Sequence, residues 1–137
     1  MTYDVDIEKR EAIEAGKQAL MSLRAAKKDL DSARGWGVLD ILGGDLFTGL
    51  IKHVKLDSAK QNVNQARRDL QRFSRELRDV SDITGADFGI GDFAVFADFF
   101  FDGMLADFYM QSKINRAREQ VDDAIYKVEN IIRQLSR

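Results

Sequence analysis

The one histidine of the chain, His53, is followed four residues later by Asp57 in the run Lys52-His-Val-Lys-Leu-Asp57. Residues four apart on a helix have side chains within reach of each other. An imidazole beside a carboxylate can ligate a metal ion or take part in acid–base chemistry. Because the chain has one histidine and no cysteine, carboxylates would dominate any metal site here. We favour a structural pair at the start of a helix, and we predict no cofactor.

No other set of residues has the spacing of a known catalytic or nucleotide-binding motif. The glycines beside Trp36 and at Gly43-Gly44 match neither the P-loop pattern nor the dinucleotide-binding pattern. The serines lie in helical or flanking contexts and have no nucleophile-elbow motif. Trp36, between two glycines, is interpreted as an anchor for its connector, with an interface role as the alternative. We therefore predict that the protein is not an enzyme.

The segment between Arg78 and Lys113 is rich in aromatic and acidic residues and has no basic residue. A membrane span is disfavoured, because an Asp at the bilayer centre costs about 2.5–3.5 kcal/mol and a Phe returns only about 0.3–0.6 kcal/mol. Two interpretations remain, a cap over the bundle, which we favour, and a partner interface. The interface candidates are Phe96, Phe99, Phe100, Phe101 and Trp36.

A second charged feature lies just before this segment. Five arginines occur within twelve residues, Arg67, Arg68, Arg72, Arg75 and Arg78. A helix that binds nucleic acid has such residues in part. However, Asp69, Glu76 and Asp79 are interleaved with them, and the net charge of the chain is −2. We interpret the arginines as a solvated helix face and predict no nucleic-acid partner.

Three segments have apolar residues at alternating spacings of three and four, which is the heptad pattern of packed helices. The first seam is Ala12, Gly16, Ala19, Leu23, Ala26, Leu30 and Ala33. The second is Leu56, Ala59, Val63, Ala66, Leu70, Phe73, Leu77 and Val80. The third is Met110, Ile114, Ala117, Val121, Ala124, Val128, Ile131 and Leu135. Alanine and glycine in these seams let helix axes approach closely.

These seams predict one all-α domain over residues 1–137, an elongated antiparallel bundle of three long, alanine-rich helices running up, down and up. The helices are expected at about 4–33, 53–80 and 104–135. Two apolar, glycine-broken connectors, 34–52 and 81–103, are each expected to form a short helix. Gly35 and Gly37 are expected to stop the first long helix.

The composition places few further limits on function. The chain has no cysteine, which suits a reducing compartment, and its first residues have neither a basic region nor an apolar core typical of a signal peptide. We therefore expect a cytoplasmic protein. The chain has no proline, so long helices are permitted throughout.

Two connector motifs resemble those of a family of uncharacterised bacterial helical proteins. They are Gly35-Trp-Gly-Val-Leu-Asp-Ile-Leu-Gly-Gly and Lys52-His-Val-Lys-Leu-Asp-Ser-Ala. Phe99-Phe-Phe-Asp-Gly-Met-Leu-Ala-Asp-Phe and Gln111-Ser-Lys-Ile-Asn extend the resemblance, which covers about 34–120. The resemblance implies a helical, coiled-coil-like fold and brings no activity or catalytic residue.

Three hypotheses of function follow from these patterns. The first is a non-enzymatic interaction or scaffolding protein that acts through helix packing on a protein partner or as a homodimer. The second is a bundle that binds an anion, metal or small ligand near His53, Asp57 and the glycine-rich connector. The third is peripheral membrane association through the Phe-rich segment.

Overall fold

The computed structural model describes an all-helical chain, as the sequence predicts. The backbone is described for residues 2–43, 46–85, 90–98 and 111–136, and the side chains for 5–31, 58–85, 91–98 and 116–136. Within these ranges there are four helices and no strand. They are α1 (Thr2–Gly43), α2 (Leu46–Thr84), α3 (Ile90–Asp98) and α4 (Gln111–Leu135).

The first two helices are longer than the glycine pattern predicts. The expected stop at Gly35 and Gly37 is wrong, because α1 continues through both glycines to Gly43. A glycine weakens a helix by about 1 kcal/mol relative to alanine, but it keeps the backbone N–H that proline lacks. The predictions of a connector over 34–52 and of a separate short helix within it are therefore wrong as well. Its residues belong to the end of α1 and the start of α2, except for 44–45, which lie outside the described residues.

In the second connector, the expected short helix is confirmed as α3, which spans nine residues. The preceding helix α2 ends four residues later than expected, at Thr84, and Gly85 follows with a φ of 70°. The Gly85 N–H donates to the carbonyl oxygen of Ser81 at 2.7 Å, which caps the helix end. The Phe-rich residues 99–110 lie outside the described residues.

The predicted heptad seams form the hydrophobic core. Each seam residue whose side chain is described is buried, and most are fully enclosed, including Leu23, Leu70 and Phe73. The side chains of Ala33, Leu56, Met110 and Ile114 lie outside the described residues. The core is wider than the seams alone, because Ala15, Leu20, Phe93 and Ala97 are buried with them. The heptad pattern therefore predicted which face of each long helix is buried.

Cross-helix contacts fix the direction of the long helices. Between α1 and α2, Ser22 contacts Asp69 and Asp29 contacts Ser58, so residue numbers run in opposite order along the pair. The same holds between α1 and α4. There the contacting pairs are Arg24 with Glu129, Lys27 with Asp122, and Asp31 with Arg118. Since α2 and α4 both oppose α1, they run in the same direction.

The expected up, down and up order of the long helices is therefore wrong. The short helix α3 supplies the missing reversal, because it runs against both α2 and α4. Phe93 packs on Phe73, while the later residue Asp98 accepts a hydrogen bond from the earlier residue Arg67. On the other side, Phe96 lies beneath the amine of Lys127. The chain thus runs up in α1, down in α2, up in α3 and down in α4.

Gly16 lies where α1 approaches α2 and α4 most tightly among the described glycines. A Cβ at this position would lie 2.9 Å from Ile132 Cδ1 and 3.0 Å from Phe73 Cε1. Both distances are shorter than ordinary van der Waals contact. The absence of a side chain at Gly16 therefore lets side chains from two other helices touch the backbone of α1.

We predict that Gly16→Leu lowers the free energy of unfolding by about 1–3 kcal/mol, because the new side chain overpacks the core. The matched control is Gln18→Leu, which adds the same side chain at an exposed position of α1. Its effect should stay within about 0.5 kcal/mol. Urea denaturation followed by circular dichroism measures both values. Equal stability of the two variants would contradict the close approach at Gly16.

Candidate interaction surfaces

The contact between α1 and α4 is lined by three ion pairs, in two of which α1 supplies the cation and in the third the anion. Lys27 Nζ lies 2.7 Å from Asp122 Oδ1, Arg118 Nε lies 2.5 Å from Asp31 Oδ1, and a longer contact of 3.3 Å joins Arg24 to Glu129. The hydrogen bond that Lys27 donates to Asp122, together with the negative charge of that carboxylate, raises the pKa of Lys27 above its ordinary value. These pairs are solvent-accessible, so each adds about 1 kcal/mol at most. The reversal of sign at Asp31 specifies the register of the two helices more than it adds stability.

Neutral donors hold α1 against α2 instead. Asp29 Oδ2 accepts hydrogen bonds of 2.7 Å from both Ser58 Oγ and Asn62 Nδ2. Asp69 Oδ2 accepts a bond of 2.5 Å from Ser22 Oγ, and its second oxygen accepts one from Gln65. The contacts that these two carboxylates make are thus hydrogen bonds from hydroxyl and amide groups. Both carboxylates are half-buried, with Asp29 directed at α2 and Asp69 directed at α1.

Helices α3 and α4 form a small cleft on the surface. It has a volume of about 170 Å³. Its lining residues are Asp92, Phe93, Tyr126, Lys127, Asn130, Ile131 and Gln134. Phe93 and Ile131 are buried and belong to the core, whereas Tyr126 is 64% exposed. The cleft thus has apolar side chains at its base, an exposed aromatic ring, and polar groups around it, as protein interfaces do.

Sequence reasoning did not single out Tyr126. It lies two residues from the seam positions Ala124 and Val128, on the outer side of α4. The signal that could have found it is an aromatic residue at a heptad position away from the seam, where solvated helices have polar residues. Val95 of α3 is similarly exposed, at 59%, although Phe93 and Ala97 of the same helix are buried.

Only one of the predicted interface residues has a described side chain. Phe96 is half-buried against the core, with its ring centroid 6.3 Å from that of Phe93. Lys127 Nζ lies 4.9 Å from the Phe96 ring centroid, which is a cation–π contact. Phe96 therefore joins α3 to α4 within the chain. Phe99, Phe100, Phe101 and the side chain of Trp36 lie outside the described residues, so their interface role stays a prediction.

At the ligand site predicted around His53 and Asp57, only the backbone is described. His53 and Asp57 both lie in α2, one helical turn apart as expected, but inside the helix rather than at its start, and their side chains lie outside the described residues. Among the described residues, one carboxylate cluster has metal-ligand spacing. It consists of Glu8, Glu76 and Asp79, whose nearest oxygens lie within 4.8 Å of one another. Clusters of this kind are common on charged helical surfaces, and this one by itself assigns no function.

No protein-family model, curated protein or solved structure matches the chain. The resemblance of its connector motifs to bacterial helical proteins therefore stays a prediction. Within the described part of the chain, no helix is both long and apolar enough to cross a membrane.

We predict that Asp29→Ala destabilises the protein by about 1–3 kcal/mol, since Ser58 and Asn62 would lose their shared acceptor in a half-buried contact. Asp31→Ala is the matched control, because it removes the same group from the same helix but breaks a solvent-accessible ion pair. Its cost should be below about 1 kcal/mol. Thermal and urea unfolding of both variants provide the comparison. A larger loss for Asp31→Ala would reverse this ranking of the two contacts.

Proposed function

We propose that the protein is a non-enzymatic interaction protein that associates through its outer helix faces, with a second copy of the chain as the occupant. The observation that supports this most directly is the cleft between α3 and α4 with the exposed ring of Tyr126. Large aromatic residues beside partly enclosed apolar pockets are the usual anchors of protein interfaces. Exposed Val95 on α3 would add apolar area to such a contact.

The packing of the interior favours the same conclusion. The described seam residues fill the space between the helices, and Phe73 and Phe93 meet edge to face with centroids 5.4 Å apart. An enzyme that works inside a helical bundle needs polar side chains directed into its core. Among the described residues, the one buried polar side chain is Ser74. Chemistry within the core is therefore disfavoured, and the outer faces remain.

The proposal extends to the architecture of the bundle and to the source and location of the protein. We propose an elongated, coiled-coil-like antiparallel bundle in which the three long helices supply the core and α3 closes one side. We also propose a bacterial, cytoplasmic protein, on the residue patterns and composition alone. These features suit a scaffold, because long helices present extended faces at fixed spacing along the axis.

We predict that the protein forms a dimer in solution and that Tyr126→Ser weakens the dimer at least tenfold, which is about 1.4 kcal/mol. Met21→Ser is the matched control. Met21 is as exposed as Tyr126, at 65%, but it lies on α1 outside the cleft. Sedimentation or size-exclusion chromatography with light scattering over a concentration series measures the dissociation constants.

The control separates a cleft interface from general surface effects. Loss of the dimer in both variants would place the interface elsewhere or indicate a general change of the surface. A monomer at every concentration for the unmodified chain would contradict self-association. Circular dichroism of the variants checks that the helices remain intact.

A further inference from the structure

The outward face of α2 has an unusual composition between residues 61 and 78. Its exposed residues in this stretch are Gln61, Gln65, Arg68, Arg72, Arg75 and Arg78. They follow each other at spacings of three or four, so they form one strip along the helix. The strip contains no carboxylate and no apolar side chain. We call these six residues the arginine strip.

Two of the three acidic residues interleaved with the arginines in the sequence are turned away from this strip. Asp69 is half-buried and bound to Ser22 of α1. Glu76 is half-buried too, beside Glu8 of α1. Asp79 is exposed one helical turn after Arg75, so it closes the strip at its C-terminal end. We counted these acids against a nucleic-acid partner, but the fold turns Asp69 and Glu76 towards α1.

The guanidinium groups of the strip are available to a ligand. Arg68 donates a hydrogen bond of 2.8 Å to Gln65, a neutral side chain of the same strip. No ion pair joins Arg72, Arg75 or Arg78 to an acidic residue in the part of the chain with described side chains. The neighbouring Arg67 is used within the fold, where it contacts the carbonyl oxygen of Asp98.

We propose that the arginine strip binds the phosphodiester backbone of double-stranded nucleic acid without reading its sequence. Arginine and glutamine side chains are among the usual donors to phosphate oxygens. The rise from Arg68 to Arg78 is about 15 Å, and a strand of B-DNA has one phosphate per about 3.4 Å of axis. Each of the four arginines can contact one phosphate, so the strip provides up to about four phosphate contacts.

The composition of the strip favours a duplex over other polyanions. Single-stranded nucleic acid is usually held by base stacking on aromatic side chains, and the strip has none. A helix that lies on a membrane needs an apolar face beside its basic one. A protein interface needs apolar or aromatic anchors. Phosphate contacts along a duplex need neither, because release of counterions drives the binding.

The net charge of −2 does not oppose local binding of this kind. At physiological ionic strength the Debye length is about 8 Å, so charges on distant faces of the protein are largely screened. The acidic residues that follow Arg78 in the sequence instead limit the site. Asp79 and Asp82 are exposed one helical turn after Arg75 and Arg78 respectively, so the attractive stretch ends with these two arginines.

The test is fluorescence anisotropy of labelled 30-base-pair DNA and RNA duplexes titrated with the full chain over a range of salt concentrations. For about four phosphate contacts, log K should fall against log salt with a slope near −3.6, or about 150-fold between 50 and 200 mM. The variant Arg68→Gln/Arg72→Gln/Arg75→Gln changes exposed residues only and should lower affinity at 50 mM salt at least tenfold. Its slope should fall to about −0.9.

The charge-matched control is Arg10→Gln/Lys17→Gln/Lys28→Gln, which removes three exposed positive charges from α1. It should bind within about threefold of the unmodified chain. The proposal is overturned if the unmodified chain leaves the anisotropy of both duplexes unchanged at 50 mM salt, or if both triple variants lose affinity equally. Tighter binding to phosphatidylserine vesicles or to single-stranded DNA than to the duplexes would also overturn it. The DNA and RNA arms identify which duplex is preferred.

Discussion

The close approach of helices at small seam residues is the constraint on which the structure depends. At Gly16, side chains of α2 and α4 reach the backbone of α1, so three helices share one core there. Fully buried alanines such as Ala19, Ala66 and Ala124 repeat the small seam position in all three long helices. Helices that pack through alanine and glycine can approach towards the short end of the usual 8–10 Å range. Close packing leaves little room for polar groups inside, which is why we propose that the outer faces carry the function.

This packing also explains why the short helix matters. Since α2 and α4 both run against α1, the chain must travel back along the bundle between them, and α3 covers part of that return. Phe93 inserts its ring against Phe73 of α2, while Phe96 lies under Lys127 of α4. A helix of nine residues would be marginal alone. Contacts on both sides stabilise it, and the cleft beside Tyr126 is a product of that docking.

Local periodicity predicted the core well, because burial of a helix face depends on spacings within one helix. Leu70, Phe73 and Val121 were all placed correctly by the heptad pattern. The ends of the long helices were not predicted correctly, since Gly35 lowers helix propensity without preventing the helix. The predicted direction of α4 was wrong for a different reason. It depends on the path of the second connector, which no spacing within a long helix records.

The charged surface of α2 differs from the one expected from the sequence. A count of charges along the chain ignores the direction in which each side chain points from the helix. Successive residues on a helix are rotated by about 100°, so Arg68 and Asp69, adjacent in the sequence, point to different surroundings. One is exposed, whereas the other accepts a hydrogen bond from α1. A balanced run of charges can therefore fold into one neutralised face and one basic face. Which face is which follows from the seam, since burial of Leu70 and Phe73 fixes the rotation of the whole helix.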